Sequence, residues 1–221
     1  MKEPICKLLF LFILLFTSCE KEKTLILPDN IIAGQKSGPG ISYFDFEPDI
    51  KCFISEPWIK QDTIIQIDLD NDGINDFTFQ RKMGHPGFRG GQSDGITLIP
   101  LNNNEINVIP TKNPEPVIEP CAHTSLDWVD TLSVSDTIHS TLNFWTNKSA
   151  LIFQFSSIFN TCSINEGFWS KVSNINDKYI GFKIVKDGKN YYGWIGLYRD
   201  LPSNFDDLII TDYAIVQYYK E

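Results

Sequence analysis

Residues 179–195 read YIGFKIVKDGKNYYGWI, and this stretch decides the fold class. Apolar side chains lie on both sides of Asp187-Gly188, a dipeptide that favours the tight turn of a β-hairpin. Isoleucine and valine before the turn and aromatic residues after it are typical of strands. The stretch therefore predicts an antiparallel hairpin whose strands cover residues 179–185 and 191–198.

The rest of the chain has the same β-type composition. Only four alanines occur in 221 residues, while Ile, Phe, Tyr, Thr and Asn are abundant. No long window shows the 3.6-residue apolar period of a helix. Further strands are predicted at residues 42–46, 51–54, 63–68, 77–81, 96–100, 105–109, 151–156 and 208–219, with a second hairpin through residues 102–104. We therefore expect one antiparallel, jelly-roll-like β-sandwich over residues 41–221.

The N-terminus has the pattern of an export signal. Lys2 and Lys7 precede residues 8–16, an unbroken apolar run of nine residues. A bilayer-spanning helix needs roughly 20 residues, so this run indicates a signal peptide instead. The small residues Thr17-Ser18 follow, and then Cys19.

This small-small-Cys ending resembles the lipobox of bacterial lipoproteins. The resemblance implies that residues 1–18 are a cleaved signal peptide and that Cys19 carries the lipid that tethers the chain to a membrane. Residues 19–40 are then predicted to form the lipidated Cys19 and a flexible tether. An ordinary secreted protein with a chance cysteine at this position is the alternative.

Charge and cysteine usage narrow the function classes. The net charge of −9 disfavours nucleic-acid binding, which depends on Lys and Arg to neutralise phosphate. With Cys6 removed and Cys19 lipidated, three cysteines remain in an oxidising compartment. Cys121 and Cys162 lie in polar, loop-like contexts and are the predicted disulfide pair, whereas Cys52 alternates with isoleucines and is predicted to be a core residue.

Residues 68–76 read DLDNDGIND, the one motif with clear site chemistry. Carboxylates at alternate positions of a tight loop can face one centre, and a glycine at the sixth position permits a left-handed turn. Hard oxygen ligands in this pattern suit Ca²⁺. The predicted ligands are Asp68, Asp70, Asp72, the Ile74 carbonyl and Asp76. A polar turn without an ion is the alternative.

The motif resembles EF-hand-type calcium loops, with strands where an EF-hand has helices. Position 12 is Phe79, where an EF-hand places a bidentate glutamate. The loop is thus similar to the strand-flanked calcium loops of extracellular β-proteins, which implies weak affinity and a structural ion.

No catalytic constellation is recognisable from the sequence. The three histidines are scattered without metal-ligand spacing, and no serine lies in a nucleophile elbow. Asp45 and Glu47 could form a glycosidase pair, and exposed tryptophans could stack on sugars. We therefore expect a non-enzymatic protein, with a carbohydrate-binding accessory protein or glycoside hydrolase as the alternative.

Several separated segments together resemble a group of uncharacterised exported β-proteins, many of them lipoproteins of Bacteroidota-type bacteria. These segments are the lipobox, residues 43–49, the loop at residues 68–76, and the C-terminal YGW and DYA segments at residues 192–194 and 212–214. The resemblance implies an exported, envelope-anchored β-fold with a calcium loop and no known catalytic residues. A glycan or protein ligand is left open.

Overall fold

The structure is a computed structural model that describes residues 28–52, 61–84, 91–110, 126–142, 144–158, 162–167, 178–200 and 207–216. These residues form strands and turns, which confirms the all-β prediction, and no helix among them has the length and hydropathy to cross a membrane. The strands of these ranges are β1 (Asn30–Ile32), β2 (Ile41–Cys52), β3 (Gln61–Ile67), β4 (Phe77–Gly84), β5 (Gly91–Pro100), β6 (Glu105–Ile109), β7 (Trp128–Val129), β8 (Leu132–Ser133), β9 (Thr137–His139), β10 (Trp145–Thr146), β11 (Ala150–Ile158), β12 (Cys162–Glu166), β13 (Lys178–Lys186), β14 (Lys189–Asp200) and β15 (Asp207–Val216).

Thirteen of these strands form one hydrogen-bonded sheet, and ten of the thirteen follow one continuous path that folds into two packed layers. The other three branch from this path, with β10 paired to β6, β12 to β11 and β8 to β13. The first layer runs β2-β15-β14-β13-β6 and the second runs β7-β11-β5-β4-β3. Strand β6 also pairs with β7 and so joins the two layers. Neighbouring strands are antiparallel except β7 and β11, which pair in parallel at Trp128 and Leu151. The predicted sandwich is present, with this one parallel contact.

The main core lies between the two layers. Because side chains alternate across a strand, every second residue of each layer points inward. Phe77 of β4 and Phe182 of β13 are both fully buried, and their rings meet edge to face with centroids 5.5 Å apart. Each fully buried large apolar side chain contributes roughly 1.5–3 kcal/mol. The members of this core from the first layer include Ile180, Ile184, Ile195, Leu197, Ile210 and Ile215, and those from the second include Phe79, Ile96, Leu98, Ile152 and Phe153.

A second, smaller core covers the outer face of the first layer. Strands β1 and β9 pair into a two-stranded ribbon, and Ile31 and Ile138 from this ribbon are fully buried. They belong to one cluster with Tyr179 and Trp194 of the β13–β14 hairpin, and the Trp194 indole N–H donates to the Gln35 carbonyl at 3.2 Å. The predicted tether of residues 19–40 therefore includes a segment, residues 30–33, that pairs with β9 and packs against the apolar outer face of the first layer.

The two predicted hairpins have different outcomes. The 179–198 hairpin is confirmed, since β13 and β14 pair antiparallel from Lys178–Leu197 to the Lys186–Lys189 turn. The second hairpin is wrong. Asn102 and Asn103 do form a turn, with φ of 53° and 64°, but β5 pairs with β4 and β11 while β6 pairs with β13, β7 and β10. The turn carries the chain from one layer to the other.

Substitution of Ile31 tests whether the N-terminal ribbon is part of the domain. Ile31→Ala leaves a cavity under the ribbon and should lower the free energy of unfolding by about 2–4 kcal/mol. Ile32→Ala is the matched control, because Ile32 is 41% exposed and its truncation should cost less than about 1 kcal/mol. Urea unfolding followed by tryptophan fluorescence measures both. Equal, negligible effects of the two substitutions would show that the segment is a tether after all.

Candidate metal centre

The loop of residues 68–76 connects β3 to β4 at one end of the second layer. The Asp76 amide donates to the Ile67 carbonyl at 2.8 Å and closes the loop at its base. Two residues have left-handed backbone conformations, Asn71 with φ of 57° and Gly73 with φ of 85°. Asparagine and glycine are the residues that adopt this region most readily, so the sequence is suited to a tight reversal here.

Backbone amides of the loop hold its first three carboxylates in place. Asp68 accepts hydrogen bonds from the Gly73 amide at 2.7 Å and from the Asp72 amide at 3.3 Å. Asp70 accepts from the same Asp72 amide at 3.2 Å, and Asp72 accepts from the Ile74 amide at 2.8 Å. Local side-chain-to-backbone bonds of this kind are the reason that aspartate favours turns. They fix carboxylates that would otherwise repel one another.

Asp76 is the buried member of the loop, with 6% of its surface exposed. One of its oxygens accepts from the Leu69 amide at 2.7 Å and the other from the Asn104 side-chain amide at 2.8 Å. Burial raises the pKa of Asp76 to about 6, and the charges of Asp70 and Asp68 add to this effect against the two hydrogen bonds. Hydrogen bonds thus orient the Asp76 carboxylate, while burial and the neighbouring negative charges disfavour its ionised form.

Three of the predicted ligands converge. Carboxylate oxygens of Asp68, Asp70 and Asp76 all lie within 4.8 Å of one another. Calcium binds oxygens at 2.3–2.6 Å, so two ligands on opposite sides of the ion are about 5 Å apart. The three side chains therefore fit one Ca²⁺. Phe79, at the twelfth position, is fully buried in the core and offers no ligand.

The fourth predicted side-chain ligand, Asp72, faces a different partner. The Lys186 ammonium, at the end of β13, lies 2.8 Å from Asp72 and 2.6 Å from Asp70. The hydrogen bond from Lys186 lowers the pKa of Asp72, and the two carboxylates raise the pKa of Lys186. The Ile74 amide holds Asp72 within the loop, and the Ile74 side chain is exposed.

Residues far away in sequence brace this loop, and sequence reasoning missed them. Asn104 donates to Asp76 and accepts from the Val185 amide at 3.0 Å, so it links the loop to the β13–β14 hairpin. Asn102 donates to the Asn75 carbonyl at 3.0 Å. The partners in these contacts are 27 to 81 residues apart in sequence, so no local sequence pattern predicts them.

An aromatic group borders the other side of the loop. Tyr213 is hydrogen-bonded to the Asn71 side chain, and burial, followed by the charges of Asp68 and Asp76, raises the pKa of Tyr213 against that bond. The Tyr213 ring stacks on Phe44 with centroids 5.5 Å apart. Strand β15 thus contacts the loop from the first layer, as the hairpin does through Asn104.

The other predicted site residues are spread over the chain. Cys52 is fully buried, which confirms its prediction as a core residue, and its carbonyl accepts from the buried Arg81 guanidinium at 3.0 Å. Cys19 and Cys121 lie outside the described residues, and Cys162 begins β12 opposite Ile158. The predicted lipid site and disulfide stay predictions.

The residues of the alternative hydrolase interpretation that the structure describes lie partly on an exposed edge strand and partly in the interior. Asp45 and Glu47 are exposed on β2, which lies at the edge of the first layer. Trp194 is fully buried, and Trp128 and Trp145 are partly buried. Trp58 and Trp169 lie outside the described residues.

Comparison with known proteins adds no relative. Neither protein-family models, nor curated proteins, nor solved structures gave a match to this chain.

The raised pKa of Asp76 predicts an unusual pH dependence in buffer stripped of divalent cations. A carboxyl whose pKa is raised on folding stabilises the fold below its unfolded pKa of 3.8, and this contribution is lost as pH rises through about 6. Wild type should therefore lose on the order of 3 kcal/mol across this window relative to Asp76→Asn. Urea unfolding at pH 4, 5, 6 and 7 measures the difference, and parallel curves for the two proteins would refute it.

Proposed function

We propose that this chain is an exported lipoprotein whose β-sandwich is a non-catalytic binding or structural module stabilised by Ca²⁺. The observation that carries the proposal is the convergence of Asp68, Asp70 and Asp76 oxygens within 4.8 Å. In this proposal the three carboxylates hold the ion, the Ile74 carbonyl supplies a backbone ligand, and Asp72 serves directly or through water.

The position of the loop supports a structural role for the ion. The loop is tied to the β13–β14 hairpin through Asn104 and to β15 through Tyr213, both in the first layer, while its own flanking strands belong to the second. A cation among these carboxylates would relieve their repulsion at a point where the two layers meet. Its stabilisation would therefore reach both layers of the sandwich.

The proposed anchor and the proposed ion site suit each other. A lipid on Cys19 would keep the domain outside the cytosol, in a compartment where calcium can reach millimolar concentrations. Calcium loops of extracellular modules have dissociation constants of about 10⁻⁴–10⁻³ M, and the lost ligand at Phe79 favours this weak range. Such a site would be filled outside the cell and nearly empty in cytosol.

The hydrogen bonds that the loop carboxylates already accept favour a non-catalytic module. Each of the four loop carboxylates accepts at least one hydrogen bond from a backbone amide, and Asp76 is almost fully buried. A general acid or base must reach a substrate proton. Carboxylates held in this way suit a bound ion better than proton transfer to a substrate.

Calcium should raise the melting temperature of the wild-type chain. At ten times the dissociation constant, one bound ion adds about 1.4 kcal/mol, which corresponds to roughly 3–6 °C for a domain of this size. Asp68→Asn combined with Asp70→Asn should abolish the shift, because it removes two ligand charges. Differential scanning calorimetry with and without calcium chelator measures this.

The matched control is the double variant Asp49→Asn and Asp62→Asn, which removes two exposed carboxylates outside the loop. It should keep the full calcium shift. A wild-type melting temperature that does not respond to calcium would contradict the ion site, and a lost shift in the control would assign the effect to net charge.

Cys19→Ser should release the chain from the membrane. In a bacterial host fed with an alkyne fatty acid, wild type should take up the label and sediment with membranes, whereas Cys19→Ser should do neither. Cys6→Ser is the control, since Cys6 lies in the predicted signal peptide and its loss should leave labelling intact. Labelled or membrane-bound Cys19→Ser protein would reject lipidation at Cys19.

A further inference from the structure

Lys186 forms ion pairs with two aspartates of the loop of residues 68–76, although it belongs to a different layer of the sandwich. It is the last residue of β13, immediately before the Asp187-Gly188 turn, and its side chain is 41% exposed. Its ammonium contacts one oxygen of Asp70 at 2.6 Å and one oxygen of Asp72 at 2.8 Å. The loop and the lysine are 116 residues apart, so the sandwich fold alone brings them together.

The Asp70 carboxylate is shared by two cations in this account, the Lys186 ammonium and the proposed Ca²⁺, and these two cations compete for it. Calcium needs Asp70 oxygens at 2.3–2.6 Å, and an ammonium at 2.6 Å from Asp70 would then lie within a few ångströms of a dication. Two positive charges at that separation repel strongly, even with solvent screening. The ammonium therefore opposes ion binding at its present position, and its partial exposure lets the side chain move away.

We propose that Lys186 is an internal competitor that sets the affinity and the charge selectivity of the ion site. This inference rests on the proposed calcium function. Without the ion, the ammonium neutralises part of the charge of Asp70 and Asp72. A divalent cation displaces it because the dication offers the carboxylates twice the charge of the ammonium. A monovalent ion offers no such gain, so the exchange selects divalent cations.

Three variants separate this role from a plain structural one. Lys186→Met keeps the length of the side chain and removes the competing charge. Lys186→Arg keeps the charge and the hydrogen-bond donors. Lys82→Met removes an exposed lysine from β4, six residues beyond Asp76 along an extended strand, and controls for net charge. Isothermal titration of the full chain in detergent with CaCl₂ gives each dissociation constant.

Lys186→Met should bind calcium on the order of tenfold more tightly than wild type, because two partly exposed ion pairs no longer oppose the ion. Lys186→Arg and Lys82→Met should stay within about threefold of wild type. In cation-stripped buffer, Lys186→Met should also unfold at a lower urea midpoint than wild type. At saturating calcium the two midpoints should coincide, or that of the variant should be higher.

Calcium binding by wild type with an unchanged or weaker constant for Lys186→Met would overturn the competitor role and leave the ion site standing. A midpoint that stays equally lowered with and without calcium would do the same, since it would make Lys186 a purely structural partner. Calcium binding by neither protein would overturn the ion site and the competitor role together. Tighter binding by Lys186→Met that Lys186→Arg reverses would support the proposal.

Discussion

The β13–β14 hairpin lies at the centre of the first layer, and the apolar side chains of β14 must be covered on both faces. Ile195 and Leu197 point into the core between the layers, while Tyr192 and Trp194 point to the opposite side. The inner set is covered by the second layer. The outer set is covered by the β1–β9 ribbon, so burial of one strand accounts for both cores and for the position of that ribbon.

The candidate ion site depends on the same constraint. With both faces of the hairpin buried, its end is held beside the loop of residues 68–76. The Val185 amide and the Lys186 ammonium then lie where Asn104 and Asp70 meet them. The four aspartates lie within nine residues of sequence, but their environment is assembled from the hairpin, the turn at residues 102–104 and β15. A change in the packing of the hairpin should therefore alter the contacts that Val185 and Lys186 make at the loop.

Local signals in the sequence predicted what is locally determined. The Asp187-Gly188 hairpin and the Asp loop follow from turn chemistry. The turn at Asn102 and Asn103 is real, yet its strands pair elsewhere, because long-range partners such as Phe77 and Phe182 decide which layer each strand joins. The sequence predicts two separate strands, at residues 42–46 and 51–54. In the structure the single strand β2 runs through Pro48 at the edge of the first layer, and its register against β15 shifts at residues 46–49. Lys186 and Asn104 carried no local signal, since their partners are 116 and 28 residues away.

The central claim is that Asp68, Asp70 and Asp76 hold a calcium ion in place of the Lys186 ammonium. A crystal structure of the protein grown with millimolar CaCl₂ tests this most directly. The account predicts one ion within 2.3–2.6 Å of oxygens from the three aspartates, with the Lys186 ammonium withdrawn from Asp70. A structure in which Lys186 still bridges Asp70 and Asp72, with no ion bound among the carboxylates, would contradict it.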